Sequence, residues 1–201
     1  RKTFPQIKNP GGLWDTAVAL YSQLPGVNIK ESALTIEWPK YKSKIAFSHL
    51  QHEQDKLQHQ GAQYPVIGFD EVTHFSKNQF MYLFSRNRLG MCAPALRPYI
   101  RATCNPEPGW VRDFLAPWVD PKYPVPATSG EVRHFFVRGD NVEWVYPEDL
   151  ILTGDPLQDP KSATFIRSTI FDNKALLEND PGYLTQLNSL NAVEKARLLH
   201  R

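Results

Sequence analysis

Residues 64–75 read YPVIGFDEVTHF. The run from Val66 to Phe69 ends directly in two adjacent acids, Asp70 and Glu71. A short apolar run bounded by turn formers is the pattern of a buried strand. Ser76 follows as the N-cap of KNQFMYLFSRNR (77–88), in which Phe80, Leu83 and Phe84 share one helical face. YIRATCNP (99–106) then reads as a second strand, closed by Asn105-Pro106. Strands alternating with helices predict a parallel sheet whose chemistry sits at the carboxyl ends of its strands. Asp70-Glu71 and Thr103-Cys104-Asn105 both fall at such ends.

Outward from this unit, GGLWDTAVALYSQLPG (11–26) is a helix, with Leu13, Trp14, Ala17, Val18, Leu20, Tyr21 and Leu24 as its apolar face and Pro25-Gly26 as its stop. ALTIEWP (33–39) and KIAFSHL (44–50) form a hairpin, and HEQDKLQHQG (52–61) is a short exposed helix or a loop. GWVRDFLAPWV (109–119) is a helix broken at Pro117, with Trp110, Phe114, Leu115 and Trp118 packed on a sheet. A Pro-rich loop (120–130) leads to a second hairpin, VRHFFVRG (132–139) with VEWVY (142–146). Residues 152–162 read as a loop, ATFIRSTI (163–170) as a strand, and 180–200 as two short helices. The fold class expected is α/β: a mainly parallel sheet flanked by helices, with β-hairpin decorations.

Composition narrows the function classes. The 201 residues are 41% hydrophobic and 22% charged, ordinary for a globular chain. A net charge of +2 is too mild to indicate nucleic acid without clustering. Cys92 and Cys104 match no metal-ligand spacing and read as free thiols in a reducing compartment. No apolar stretch approaches the roughly 20 residues of a spanning helix, so a soluble intracellular protein is expected.

A carboxylate at a strand tip can hold Mg²⁺ through its water shell, and a neighbouring acid can orient or deprotonate a water. Adjacent acids also occur as plain turn residues, and Asn-Pro turns need no ligand. Both motifs, in this order and spacing, point instead to one phosphate-handling site. His49, His52, His59 and His74 bracket the acids, but their spacing fits no zinc pattern. Lys40, Lys42 and Lys44, interleaved with Tyr41, make a cationic hairpin tip that is either a solvated turn or a contact for DNA phosphates.

Four stretches, RKTFPQIKNPGGLWD, HLQHEQDKLQHQGAQYPVIGFDEVTHF, LFSRNRLGMCAPALRPYIRATCNPEPGWVRDFLAPWVD and TIFDNKALLENDPGYLTQLNSL, resemble the large terminase subunit of tailed bacteriophages and prophages. The similarity spans nearly the whole chain and is weakest between residues 120 and 160. It implies that residues 1–201 are part of the P-loop NTPase-like ATPase domain of a DNA-packaging motor, which in the family is joined to an RNase-H-like nuclease. The Walker B aspartate falls on Asp70, the catalytic glutamate on Glu71, and the coupling motif on Thr103, Cys104 and Asn105, with Thr103 and Asn105 sensing the γ-phosphate. Arg86 or Arg88 is the candidate arginine finger acting on a neighbouring subunit. Gln60 and Gln63 lie in the family's loop before Walker B and are candidate contacts for nucleotide or DNA, or plain polar loop residues.

The cofactors implied are ATP and Mg²⁺, with Mg²⁺ held by Asp70 through water. The partners implied are double-stranded DNA, the small terminase subunit, the portal protein and further copies in a ring. The location implied is the host cytoplasm, with transient docking at the procapsid portal. One departure weighs against activity. The phosphate-binding loop G-x-x-x-x-G-K-[ST] is not found, since Gly11-Gly12 runs into Leu13-Trp14. The expectation is an N-terminally truncated domain with that loop upstream and the nuclease acids downstream, ending LLHR where the family continues LLHGDW. Such a chain would bind ATP weakly and turn it over poorly or not at all. The alternative is a non-catalytic prophage remnant or interaction module, and a helicase-type ATPase ranks behind both.

Overall fold

The computed structural model describes residues 1–90, 96–139, 141–155 and 157–189. Cys92 and the expected helical end from residue 190 lie outside them. The chain divides into two compact units, Arg1–Cys104 and Asn105–Arg201.

The first unit opens with α1 (Phe4–Lys8) and α2 (Leu13–Tyr21). In α2 the face that packs is Trp14, Ala17, Val18 and Tyr21, at helical offsets of three and four. Leu20 and Leu24, expected on that face, are 60% and 46% exposed. The helix covers an antiparallel sheet of β1 (Asn28–Lys30), β2 (Thr35–Trp38) and β3 (Ser43–Ala46). The expected hairpin is therefore present, in the register Ile36↔Ile45 and Trp38↔Ser43. β1 is an addition whose three residues carry no periodic signal. Ile7, Trp14, Ala17, Leu34 and Ile36 close the core, with Trp14 edge-on to Phe47 and Tyr21 edge-on to Trp38.

A 3-10 segment, Glu53–His59, leads to β4 (Val66–Phe69), α3 (Lys77–Phe84) and β5 (Tyr99–Ala102). β4 and β5 pair in parallel, Val66 opposite Tyr99 through Phe69 opposite Ala102. The crossover is ridged by aromatics: Phe69 packs on Phe75 and Phe80, with centroids 5.3 and 5.2 Å away. Ser76 caps α3 as expected, its Oγ accepting from Gln79 N at 3.1 Å. Gln79 itself is fully buried, and its amide donates to Leu50 O and His52 O at 3.1 and 2.8 Å. Its Oε1 accepts from Lys2 Nζ at 3.0 Å.

Two expectations are corrected here. The strand before the acids is buried on one face only, since Val66 and Tyr99 are each 42% exposed. The sheet is not mainly parallel: the described residues form three small sheets, of which only β4–β5 is parallel. Strands joined by short connections pair antiparallel, whereas parallel pairing needs a crossover of a dozen or more residues. Of the strands that pair, only β4 and β5 are joined by a crossover that carries an α-helix, so the result is mixed α/β.

In the second unit, α4 (Trp110–Phe114) and α5 (Ala116–Val119) are separated at Leu115, with Pro117 tolerated in the first turn of α5. They accompany an antiparallel sheet in the order β7 (Asn141–Val145), β6 (Val132–Arg138), β8 (Lys161–Thr164). Phe114 and Trp118 pack on Trp144 at 5.2 Å each, Phe135 joins them and Leu115 is buried, so the expected core is present at Phe114, Leu115 and Trp118. α6 (Lys174–Asn179) and α7 (Tyr183–Asn188) follow.

Gln79→Ala leaves a void at a fully buried position and removes the amide's bonds to Leu50 O, His52 O and Lys2 Nζ, so urea denaturation is expected to show a loss of about 2–4 kcal/mol. Leu20→Ala, at an exposed position, should stay within about 0.5 kcal/mol. In the second unit, Glu131, Asp159 and Asp172 are held below the usual carboxylate range, first by backbone N–H bonds from Thr128, Thr153 and Thr169. A depressed folded pKa contributes stability above the ordinary carboxylate pKa that is lost as pH falls through the folded value. The urea midpoint is therefore expected to drop between about pH 5 and pH 3, and to drop less in Asp159→Asn.

Candidate functional site

Parallel register places residue 70, just past β4, beside residue 103, just past β5. Thr103 uses this position fully. Its N–H donates to Phe69 O at 2.9 Å and its carbonyl accepts from Val72 N at 2.8 Å. Its hydroxyl donates to Asp70 Oδ1 at 2.7 Å and accepts from Glu71 N at 3.0 Å. One threonine thus ties down both acids.

Side chains of adjacent residues in an extended strand point to opposite faces. Glu71 escapes that alternation because its backbone is left-handed, φ 55° and ψ 63°. This region costs a residue with a Cβ roughly 1 kcal/mol or more. The turn brings both carboxylates onto one cation. Arg1 Nη1 lies 2.6 Å from Glu71 Oε2, and Arg1 Nε lies 2.6 Å from Asp70 Oδ2, a charge contact without hydrogen-bond alignment. His74 Nδ1 is 3.0 Å from the same Glu71 oxygen. The pair is partly open to solvent, with Asp70 25% and Glu71 42% exposed along their side chains. Two carboxylates and a hydroxyl are hard oxygen donors, and they fit a hydrated Mg²⁺, which keeps most of its waters and takes one or two carboxylates.

The other candidates lie elsewhere. Arg86 O accepts from Tyr64 N, and Arg88 N donates to Tyr64 O, so both arginines are anchored where β4 begins. The acids are where it ends, about 20 Å away at about 3.3 Å per residue. Arg86 also lies over the Tyr82 ring, 4.7 Å from its centroid. Gln60 and Gln63 are exposed and precede the same end of the strand, Gln63 lying against Gly90. Arg86, Arg88, Gln60 and Gln63 are therefore not gathered around this chain's own acid pair. Asn105 is exposed and begins the second unit, its carbonyl accepting from Glu107 N at 2.7 Å. Burial raises the Cys104 thiol's pKa, which suits a packed residue and not a nucleophile. Among the described residues no three His, Cys, Asp or Glu side chains converge as a metal cluster.

Two residues of this neighbourhood have roles that the sequence did not indicate. His74 meets Glu71 only through the 3-10 turn Val72–His74. Asn87 clamps the start of both strands, its Nδ2 donating to Tyr64 O, Pro65 O and Tyr99 O at 2.9, 3.0 and 3.2 Å. Because Glu71 stores strain, Glu71→Gly is expected to exceed Glu71→Ala in stability by about 1 kcal/mol in thermal melts, although both lose the same ion pairs.

Comparison with known proteins adds one match. The model of the family terminase large subunit, T4likevirus-type, N-terminal, matches residues 16–201. No curated protein and no solved structure matches the chain.

Proposed function

The chain belongs to the T4likevirus-type terminase large subunits, a family of phage DNA packaging, and from that membership we propose that its first unit is the acid-bearing half of an ATP-hydrolysing site. The observation that carries the reading is the Thr103 hydroxyl held between Asp70 and Glu71 at the carboxyl ends of two parallel strands. In this reading β4, α3 and β5 belong to a P-loop NTPase-like sheet, and Val66–Glu71 is its Walker B segment. Bound here, Mg·ATP would supply the electrophilic phosphorus and the cation that neutralises developing phosphate charge. Asp70 holds the hydrated cation and Thr103 fixes that carboxylate's rotamer. Glu71, turned by its left-handed backbone, orients the attacking water and accepts its proton. Asn105 senses the γ-phosphate with Thr103 and couples hydrolysis to movement. Arg86 or Arg88, remote from its own acids, acts on a neighbouring subunit's nucleotide, and Gln60 or Gln63 contacts nucleotide beside it. The product is translocation of double-stranded DNA, with the small terminase subunit, the portal and a ring of copies as partners, in the host cytoplasm and transiently at the procapsid.

One observation favours a second reading, a non-catalytic module. The Arg1 guanidinium contacts both carboxylates and so already supplies the cation their charges require. Phosphate release at saturating Mg·ATP separates the two. Turnover that falls at least about 100-fold in Glu71→Gln and about 10-fold in Thr103→Val is expected if the acids are catalytic. No turnover by the unaltered chain, with the phosphate-binding loop supplied on a longer polypeptide, would leave the module as the function.

A further inference from the structure

The β2–β3 hairpin ends in PKYKSK (39–44), six exposed residues of which three are lysines. From its charge, shape and rigidity we propose that this tip is a contact for the phosphate backbone of duplex DNA. The inference rests on the packaging reading for its partner, but on none of the catalytic assignments.

No ion pair among the described residues offsets this charge. Residues 38–52 contain no Asp or Glu. Glu37, the nearest acid along the strands, is taken by Lys30 at 2.6 Å, although it stands opposite Lys44 in the register. Lys40, Lys42 and Lys44 enter no ion pair among the described residues. Tyr41 stands among them, 66% exposed, with the Lys40 ammonium 5.4 Å from its ring centroid. Its hydroxyl can donate to phosphate oxygens as lysines do.

The tip is also built, not loose. Pro39 opens a 3-10 turn closed by Lys42 N donating to Pro39 O at 3.1 Å, and Ser43 Oγ donates to Tyr41 O at 3.2 Å. Trp38 at its base stands edge-on to Tyr21 of α2, 5.3 Å between centroids. Lys42 holds a left-handed backbone, φ 50°, where glycine would sit without strain. The chain thus keeps a lysine at a position that stability alone would give to glycine. A two-stranded ribbon is narrow enough to enter or straddle a groove of B-DNA. The tip has no Arg, Asn or Gln, so lysine is the one side chain there that makes the usual bidentate base contacts, and lysine's contacts to phosphate carry no sequence information. A motor that must pass any sequence requires contacts of that kind.

The test is fluorescence anisotropy of the full chain with two labelled duplexes of unrelated sequence, from about 25 to 200 mM KCl, with thermal melts of every variant. Each phosphate contact contributes about 0.9 to the slope of log affinity against log salt. Replacing Lys40, Lys42 and Lys44 together by Gln is expected to reduce that slope by about 2–3, equally on both duplexes. Lys42→Gly is expected to reduce it by about one while melting at or above the unaltered chain. Binding by the unaltered chain with slopes unchanged in these variants overturns the inference and leaves the packaging reading standing. No binding by the unaltered chain at any salt overturns the inference together with direct DNA contact by this chain. Equal affinity for poly-glutamate overturns it too, since the tip would then be a general polyanion site.

Discussion

Parallel pairing of β4 with β5 in a single register is the constraint on which the acid site depends. A slip of one residue would send every side chain to the opposite face and would separate Thr103 from Asp70. Nothing as local as a hairpin turn holds this pairing, and two strands alone are marginal in water. The register is clamped at both ends. Asn87 gathers the carbonyls of Tyr64, Pro65 and Tyr99 at the start, and Thr103 binds Phe69, Asp70, Glu71 and Val72 at the finish. Between them, Phe69 seats β4 on Phe75 and Phe80 of the crossover. The crossover is anchored by Gln79, a buried amide with its hydrogen bonds satisfied, as a buried polar group requires.

Strain is spent sparingly in this unit. Three described residues other than glycine adopt positive φ: Leu34, Lys42 and Glu71. Leu34 is 5% exposed, so core burial offsets its cost locally. Glu71 and Lys42 have no such local compensation. One turns a carboxylate toward its neighbour, and the other ends a cationic ribbon. The two sites draw on different physics: short-range hydrogen bonding orders the acids, while the lysine tip acts through unpaired charge that salt screens.

Legibility in the sequence followed the range of the forces involved. α2, α3 and the hairpins were readable because apolar periodicity, a Ser cap and turn formers act within a few residues. β1 was not, since a strand of three residues exists only through pairing with β2. β8 occupies Lys161–Thr164 and not 163–170, because pairing with β6 selects it and its mostly exposed residues carry no apolar signal. The same limit explains the mainly parallel expectation: alternation of helix and strand indicates crossovers, but which strands meet is a long-range choice.

At the site, sequence alone determined that two acids end one apolar run and that Thr103-Cys104-Asn105 ends another, and both motifs lie within the stretches that carried the resemblance to large terminases. Only the tertiary structure decided that Thr103 bridges the acids, that a left-handed Glu71 turns both carboxylates onto one cation, and that Arg86, Arg88, Gln60 and Gln63 stand toward the far end of the strand. The reason is geometric. Residue type and spacing set what a side chain can do, whereas proximity across 30 residues of chain is set by strand register, which no local pattern encodes.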